Sequence, residues 1–304
     1  MNAVQREQMT RTAIAVYEGR LRPPPQERRR MDMQEWIDLD RYPIHATGSA
    51  AYRALVDAAQ TGLRNTGACE LPGFLTAAGV ALASAEAQAI EACAFASRSR
   101  ATVYLGGADA SLGAAHARNQ VVSSSVRVIA YDAVPTAHLL RRLYEWDVLL
   151  NFLADVLALA QLYRYADPLG ALNIAVMGDG DALGWHFDQT DFVTSLALIP
   201  ADEGGDFHFH PLIRDTTNEN YEGVGAVLRG EQQDHVRLAM NPGTFLLFKG
   251  RHSLHRVTPI RGKTARIVAL LAYDAKPGTD STNELKLARY GRTSAQPHVA
   301  KHAN

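Results

Sequence analysis

Two hydrophobic rhythms divide the chain. Up to Asp167 the apolar residues recur at helical spacing, and after Pro168 they fall into short β-branched or aromatic runs. Ser49 is a plausible N-cap for a helix that carries Tyr52, Leu55, Val56 and Ala59 on one face, with Gly62 or Gly67 as its stop. The Ala-dominated stretch Thr76–Arg98, with Val80, Leu82 and Ile90, suits a second helix. Thr136–Asp167 is long and apolar and ends at Pro168, so it is the expected main buried helix, in one or two pieces. Glu70–Leu75 and Val121–Ala130 read as strands between these helices.

Beyond Pro168 the predicted strands are Leu172–Met177, Phe192–Ile199, Phe207–His210, Gly243–Phe248 and Arg266–Tyr273. Turn signals separate them, among them Gly178-Asp179-Gly180, Glu203-Gly204-Gly205 and Asn241-Pro242-Gly243. Such spacing predicts an antiparallel sandwich or barrel, and the whole an α+β fold with a helical region packed on a β core. The organisation expected is an extended arm (1–48), a mainly helical region (49–170), the β core (171–276) with an insertion at 213–231, and a tail (277–304). Pro23-Pro24-Pro25 excludes helix in the arm, and the arginines that follow read as solvated surface.

Composition narrows the function classes. The 304 residues are 47% apolar and 21% charged, with 31 basic against 32 acidic side chains and a net charge of −1. That is globular composition, and near-neutrality argues against nucleic acid or anionic lipid held by bulk charge. Cys69 and Cys93 are too far apart for a CxxC motif, and Met1–Thr12 is polar where a signal peptide would be apolar. Leu149–Ala160 is broken by Asn151 and Asp155 and is too short to span a bilayer. A soluble, cytoplasmic protein with no nucleic-acid or membrane partner is the expectation; pairing of Ala-rich helices leaves a homodimer open.

Candidate chemistry begins at Gly184-Trp185-His186-Phe187-Asp188. On a strand, His186 and Asp188 share a face about 7 Å apart, and a lone His-x-Asp is as often a satisfied surface pair. Downstream stand His252, His255 and Arg266. Two histidines and a carboxylate are the ligand set of non-haem Fe(II) oxygenases, with positions left open for reactants. His252 would point to the other side of a strand from His255, which is therefore the chosen ligand. A hairpin centred between Ile260 and Arg261 would set Arg266 directly opposite His255, where a guanidinium can bind the far carboxylate of a short diacid. His208 and His210 share a strand face with Asp206, a polar face rather than a second metal pair.

These residues resemble the Fe(II)/2-oxoglutarate-dependent dioxygenases, particularly their prolyl-hydroxylase-like branch. Gly204-Gly205-Asp206-Phe207, Pro242-Gly243-Thr244 and His255-Arg256-Val257-Thr258-Pro259 fit that pattern alongside His186, Asp188, His255 and Arg266. The run from Gly184 to Asp274, with Arg214, Asn220-Tyr221 and Arg289-Tyr290-Gly291-Arg292, is similar to the carrier-independent amino-acid halogenases and their hydroxylase relatives. The resemblance covers residues 170–292 well and the helical half loosely. It implies a double-stranded β-helix (jelly roll) that binds Fe(II) through His186, Asp188 and His255, 2-oxoglutarate through Arg266, and O₂. Halogenases of this group carry Gly or Ala in place of the metal carboxylate, so Asp188 implies hydroxylation. Where the branch has a Ser two residues past the Arg, this chain has Val268, and Asn173 or Thr258 would supply the second donor. The implied substrate is a small free molecule, an amino acid with cationic ones favoured. Arg214 and Asn220 of the insertion, Asp191 and Trp185 are the candidate substrate contacts. Desaturation, cyclisation, a nucleotide or peptide substrate, or a non-catalytic metal-binding jelly roll are the alternatives.

Overall fold

The computed structural model describes residues 33–296, so the proline-rich part of the arm and residues 297–304 lie outside it. Residues 33–48 are not an arm. Met33, Ile37, Leu39, Tyr42 and Ile44 are all buried, and Tyr42 donates through its hydroxyl to Pro72 O at 2.8 Å. Their apolar side chains outweigh the polar residues around them and seal one end of the core.

Helix α1 (Ala50–Asn65) starts as its cap predicts, with Ser49 Oγ accepting from Tyr52 N at 3.0 Å. Strand β1 (Ala68–Leu71) follows, then α2 (Ala77–Ala89), whose Gly79, Ala83 and Ala87 face this chain's own core. The chain then turns into strand β2 (Phe95–Thr102), where sequence predicted helix as far as Arg98. Polar alternation through Ser97, Arg98, Ser99 and Arg100 suits a half-exposed ladder, and β2 pairs in full with β3 (Val121–Ile129).

The long apolar stretch is broken into α3 (Leu139–Tyr144) and α4 (Asp147–Val156). Arg164 holds the break: its Nε donates to Tyr144 O at 2.8 Å and its Nη2 to Asp147 Oδ1 at 2.9 Å. It sits on the short strand β4 (Tyr163–Arg164). The β core comprises β5 (Leu172–Met177), β6 (Ala182–His186), β7 (Val193–Ile199), β8 (Phe207–His210), β9 (Val236–Leu238), β10 (Phe245–Phe248), β11 (Leu254–Val257) and β12 (Arg266–Leu271). Helix α5 (Tyr221–Leu228) lies in the insertion, and β13 (Tyr273–Asp274) and α6 (Asn283–Tyr290) close the described chain. No described helix is long and apolar enough to cross a membrane.

One antiparallel sheet curls into two facing walls. The larger has the order β1-β10-β7-β12-β5-β3, and the smaller β6-β11-β8-β9. Strand β3 belongs to both, pairing with β5 through Arg127–Ile129 and with β6 through Ser124 and Ser125. This is a jelly roll. Leu172, Ile174 and Val176 of β5 and Ile267, Ala269 and Leu271 of β12 face the helices in the main core. The alternate residues, Asn173, Ala175 and Met177, then Arg266, Val268 and Leu270, line the space between the walls.

The sequence-based hairpin between β11 and β12 does not form. Strand β11 pairs with β6 and β8, setting His255 opposite His186 and Phe209, whereas β12 pairs with β5 and β7, setting Arg266 opposite Met177. Residues 258–265 cross from one wall to the other instead of turning tightly. Thr258 N donates to Asp206 O at 3.0 Å, Ile260 N to Asp181 O at 2.9 Å, and Ile260 is wholly buried. His255 and Arg266 therefore meet from opposite walls of the cavity and not along one ladder.

Candidate metal centre and its cavity

His186 ends β6, Asp188 lies just beyond it, and His255 sits mid-β11 on the adjoining strand, so pairing alone brings the three together. One ligand atom from each lies within 4.8 Å of the others. Asp188 Oδ2 is 3.5 Å from His255 Nε2, and Oδ1 is 3.9 Å from His186 Nε2. Each imidazole is oriented from behind: Nδ1–H of His186 donates to Gly184 O at 2.7 Å, and that of His255 to Ser253 O at 2.9 Å. Both bonds leave the Nε2 lone pair directed at the common point, as metal-binding histidines require.

Electrostatics agree with a cation site. Burial pushes the His186 pKa down to about 4, with the His255 charge adding to it, so His186 is a neutral ligand at physiological pH. Burial alone would raise the Asp188 carboxyl; His255, by charge and hydrogen bond, outweighs it, and with His186 and Arg289 behind brings it to about 2. His255 moves upward because Asp188 overcomes its burial. An anion wedged between two imidazoles is a group that a divalent metal would satisfy. The donor set fits the Fe(II) that the resemblance implies.

The surrounding cavity measures about 140 Å³ and is mostly apolar, with Val126, Met177, Leu183, Phe207, Phe248 and Val257 in its walls. Arg266 enters it from the opposite wall, 7% exposed. Burial lowers its pKa to about 10, so it remains a cation at neutral pH. The only hydrogen bond of its guanidinium among the described residues is a 3.9 Å contact to Met177 Sδ. A buried guanidinium that no carboxylate in the described chain hydrogen-bonds is costly unless a ligand anion completes it. Two residues on from it, Val268 lines the cavity as the sequence showed.

The other sequence-derived candidates sit elsewhere. Thr258 is not in the cavity wall, and its hydroxyl accepts from Asp206 N at 2.9 Å. Asn173 lines the cavity, but its amide donates to Gly170 O at 2.8 Å and accepts from the Tyr290 hydroxyl. The register also sets it four residues from Met177, the partner of Arg266, which is roughly 13 Å along the strand. Trp185 faces outward, with Arg256 4.6 Å above its ring and His210 5.3 Å away. Asn220 caps α5 through Gly223 N, and Arg214 packs 3.9 Å over Phe187 while pairing with Glu219 at 2.6 Å. Asp191 pairs with Arg251 at 2.6 Å in solvent. None of these four is in the cavity wall.

Two residues that carry no assigned role in the sequence do belong to the site. Gly250 O accepts from Asp188 N at 3.1 Å, and a side chain on Gly250 would collide with the Asp188 carboxylate. Arg289, from the last turn of α6, reaches the cavity rim. In the sequence Arg289-Tyr290 carries only a family resemblance, and nothing local says that Tyr290 packs inward while Arg289 borders the cavity.

Known proteins share this architecture. The epimerase SnoN from nogalamycin biosynthesis superposes with a TM-score of 0.51 at 15% identity, over 73% of this chain and 81% of that one. SnoN in complex with Fe3+, alpha ketoglutarate and nogalamycin RO gives 0.50 at 16%, over 73% and 84%. A 2OG-Fe(II) oxygenase family oxidoreductase from Burkholderia pseudomallei gives 0.46 at 17%, over 74% and 92%. No curated protein sequence matches the chain significantly. The family model for Halogenase D matches residues 113–288, more than half of the chain, and spans His186, Asp188, His255 and Arg266. The chain belongs to the Halogenase D family.

Proposed function

We propose that this protein is an Fe(II)- and 2-oxoglutarate-dependent oxygenase that hydroxylates an unactivated C–H bond of a small free substrate, an amino acid or a derivative. The observation that carries this reading is the meeting of His186, Asp188 and His255 at one point of a cavity whose far wall holds the unpaired Arg266. SnoN, with the same fold, has been captured with iron and alpha ketoglutarate.

Bound iron would supply oxygen activation coupled to breakdown of the oxoacid; the chain's residues do the rest. Gly184 O and Ser253 O hold the two imidazoles in register, and Gly250 fixes the backbone of Asp188. Arg266 is placed to take the distal carboxylate of 2-oxoglutarate in a fork of charge-assisted hydrogen bonds. The apolar walls exclude water from the reacting carbon. Asp188 occupies the position that a halide would need, which favours hydroxylation over halogenation within this family.

Anaerobic addition of Fe(II) and 2-oxoglutarate should produce the weak visible charge-transfer band of the chelate. A screen over free amino acids should then yield succinate together with a product heavier by one oxygen; a product lighter by two hydrogens would mean desaturation. His186→Ala or Asp188→Ala should abolish both band and succinate. Unchanged substrate-dependent succinate in either variant would overturn the assignment.

A further inference from the structure

The charges around the cavity are unbalanced. Its described lining holds two guanidiniums, Arg266 and Arg289, and one carboxylate, Asp188, which belongs to the metal ligands. Arg266 and Arg289 approach from different ends. Arg266 stands opposite Met177 at one end of β5, whereas Tyr290, next to Arg289, bonds to Asn173 near the other. One short diacid held at Arg266 therefore leaves Arg289, which neighbours the Tyr290 hydroxyl, without a carboxylate.

Helix α6 is fastened so that Arg289 is presented at the rim. Thr282 caps its start, Lys286 is buried against Asp280 at 2.5 Å and Asp167 at 3.8 Å, and Gly291 ends it in the left-handed conformation. Ser97 on β2 donates to Ala288 O at 2.8 Å, and Tyr290 locks inward on Asn173. Of the three nearest cations on this segment, Lys286 has its aspartates and Arg292 pairs with Asp132 at 2.7 Å. Arg289 alone has no carboxylate partner among the described residues. It lines the same cavity as His186 and Asp188. The lining beside its neighbour Tyr290, Val126 and Val128, offers no acid to a side-chain ammonium.

We propose that Arg289 grips a carboxylate of the organic substrate and that the side chain of that substrate is uncharged and apolar. The inference rests on the oxygenase reading and narrows its substrate class away from cationic amino acids, whose side-chain charge would find only repulsion from two guanidiniums and an apolar wall.

Calorimetric titration of the anaerobic full chain, saturated with Fe(II) and 2-oxoglutarate, with hexanoate, hexanamide and hexylamine tests it. Hexanoate should bind at least about tenfold more tightly than hexanamide, the worth of one charge-assisted pair. Arg289→Gln should remove most of that preference and Arg289→Lys should keep part of it, with the charge-transfer band unchanged in both. A preference that survives in Arg289→Gln, equal binding of acid and amide, tightest binding of hexylamine, or no binding of hexanoate would each overturn the proposal. Failure of the band to form in the unaltered protein would instead count against the oxygenase reading, and the comparison of the three probes would still decide the role of Arg289.

Discussion

Replacing Gly250 by alanine would separate the placement of a metal ligand from its identity. Gly250 has an ordinary negative-φ backbone, so alanine imposes no conformational strain there. The obstacle is spatial. A Cβ at this position would stand 2.9 Å from Asp188 Cβ and nearer still to the carboxylate, where carbon atoms normally approach to about 3.5–4.0 Å. The main chains cannot slide apart cheaply, because Asp188 N donates to Gly250 O at 3.1 Å. The carboxylate must swing aside, and its approaches of 3.5 Å to His255 and 3.9 Å to His186 are lost. Displacing the groups that orient a metal ligand typically weakens binding about 10–100-fold, or roughly 1.4–2.8 kcal/mol. Anaerobic titration with Co(II), followed by its visible absorption, should therefore show a dissociation constant raised by at least about tenfold. Gly107→Ala, a position where a Cβ meets nothing within 4 Å, is the matched control. With both variants keeping the parent circular dichroism, a Gly250→Ala affinity within about threefold of the parent would refute the reasoning, since that is well under the expected loss.

Further outcomes can be read from the same geometry. If Arg266 plays its proposed role of holding the cosubstrate and not the ion, Arg266→Gln should raise the 2-oxoglutarate concentration for half-maximal band formation by about 10–100-fold and leave Co(II) affinity unchanged. Leu153→Ala, at a wholly buried position of α4, should cost about 2–5 kcal/mol in a denaturant titration. Tyr290→Phe removes the hydroxyl bonded to Asn173 and should destabilise by about 1 kcal/mol in the same titration, with metal affinity intact.

What the sequence disclosed follows from how local each signal is. Strands β5, β7, β8, β10 and β12 were legible because their residues are buried on both faces or alternate between helices and cavity, whereas the partly exposed β6 and β9 were not among the predicted strands. The Ser49 cap fixed the start of α1 for an equally local reason. Strand β2 was hidden behind an alanine-rich run whose helical preference ends at Ala89, and only its pairing with β3 sets the boundary. The break between α3 and α4 depends on Arg164, some twenty residues from the Tyr144 carbonyl it binds. His186, Asp188, His255 and Arg266 could be singled out, yet the path between His255 and Arg266 could not. A short polar segment with a glycine reads as a turn whether it joins neighbours or crosses between walls. Arg289 and Gly250 act through contacts that no spacing rule encodes.

Strand β3 is stitched into both walls of the jelly roll. It is the spine along which they meet, and β1 and β9 end the ribbon on the far side without pairing with each other. Helix α6 packs on β2 and β3 and fastens Tyr290 to Asn173 of β5, so it braces that spine. Loosening it would disturb the line where the walls join while His186 and His255 stay paired on β6 and β11.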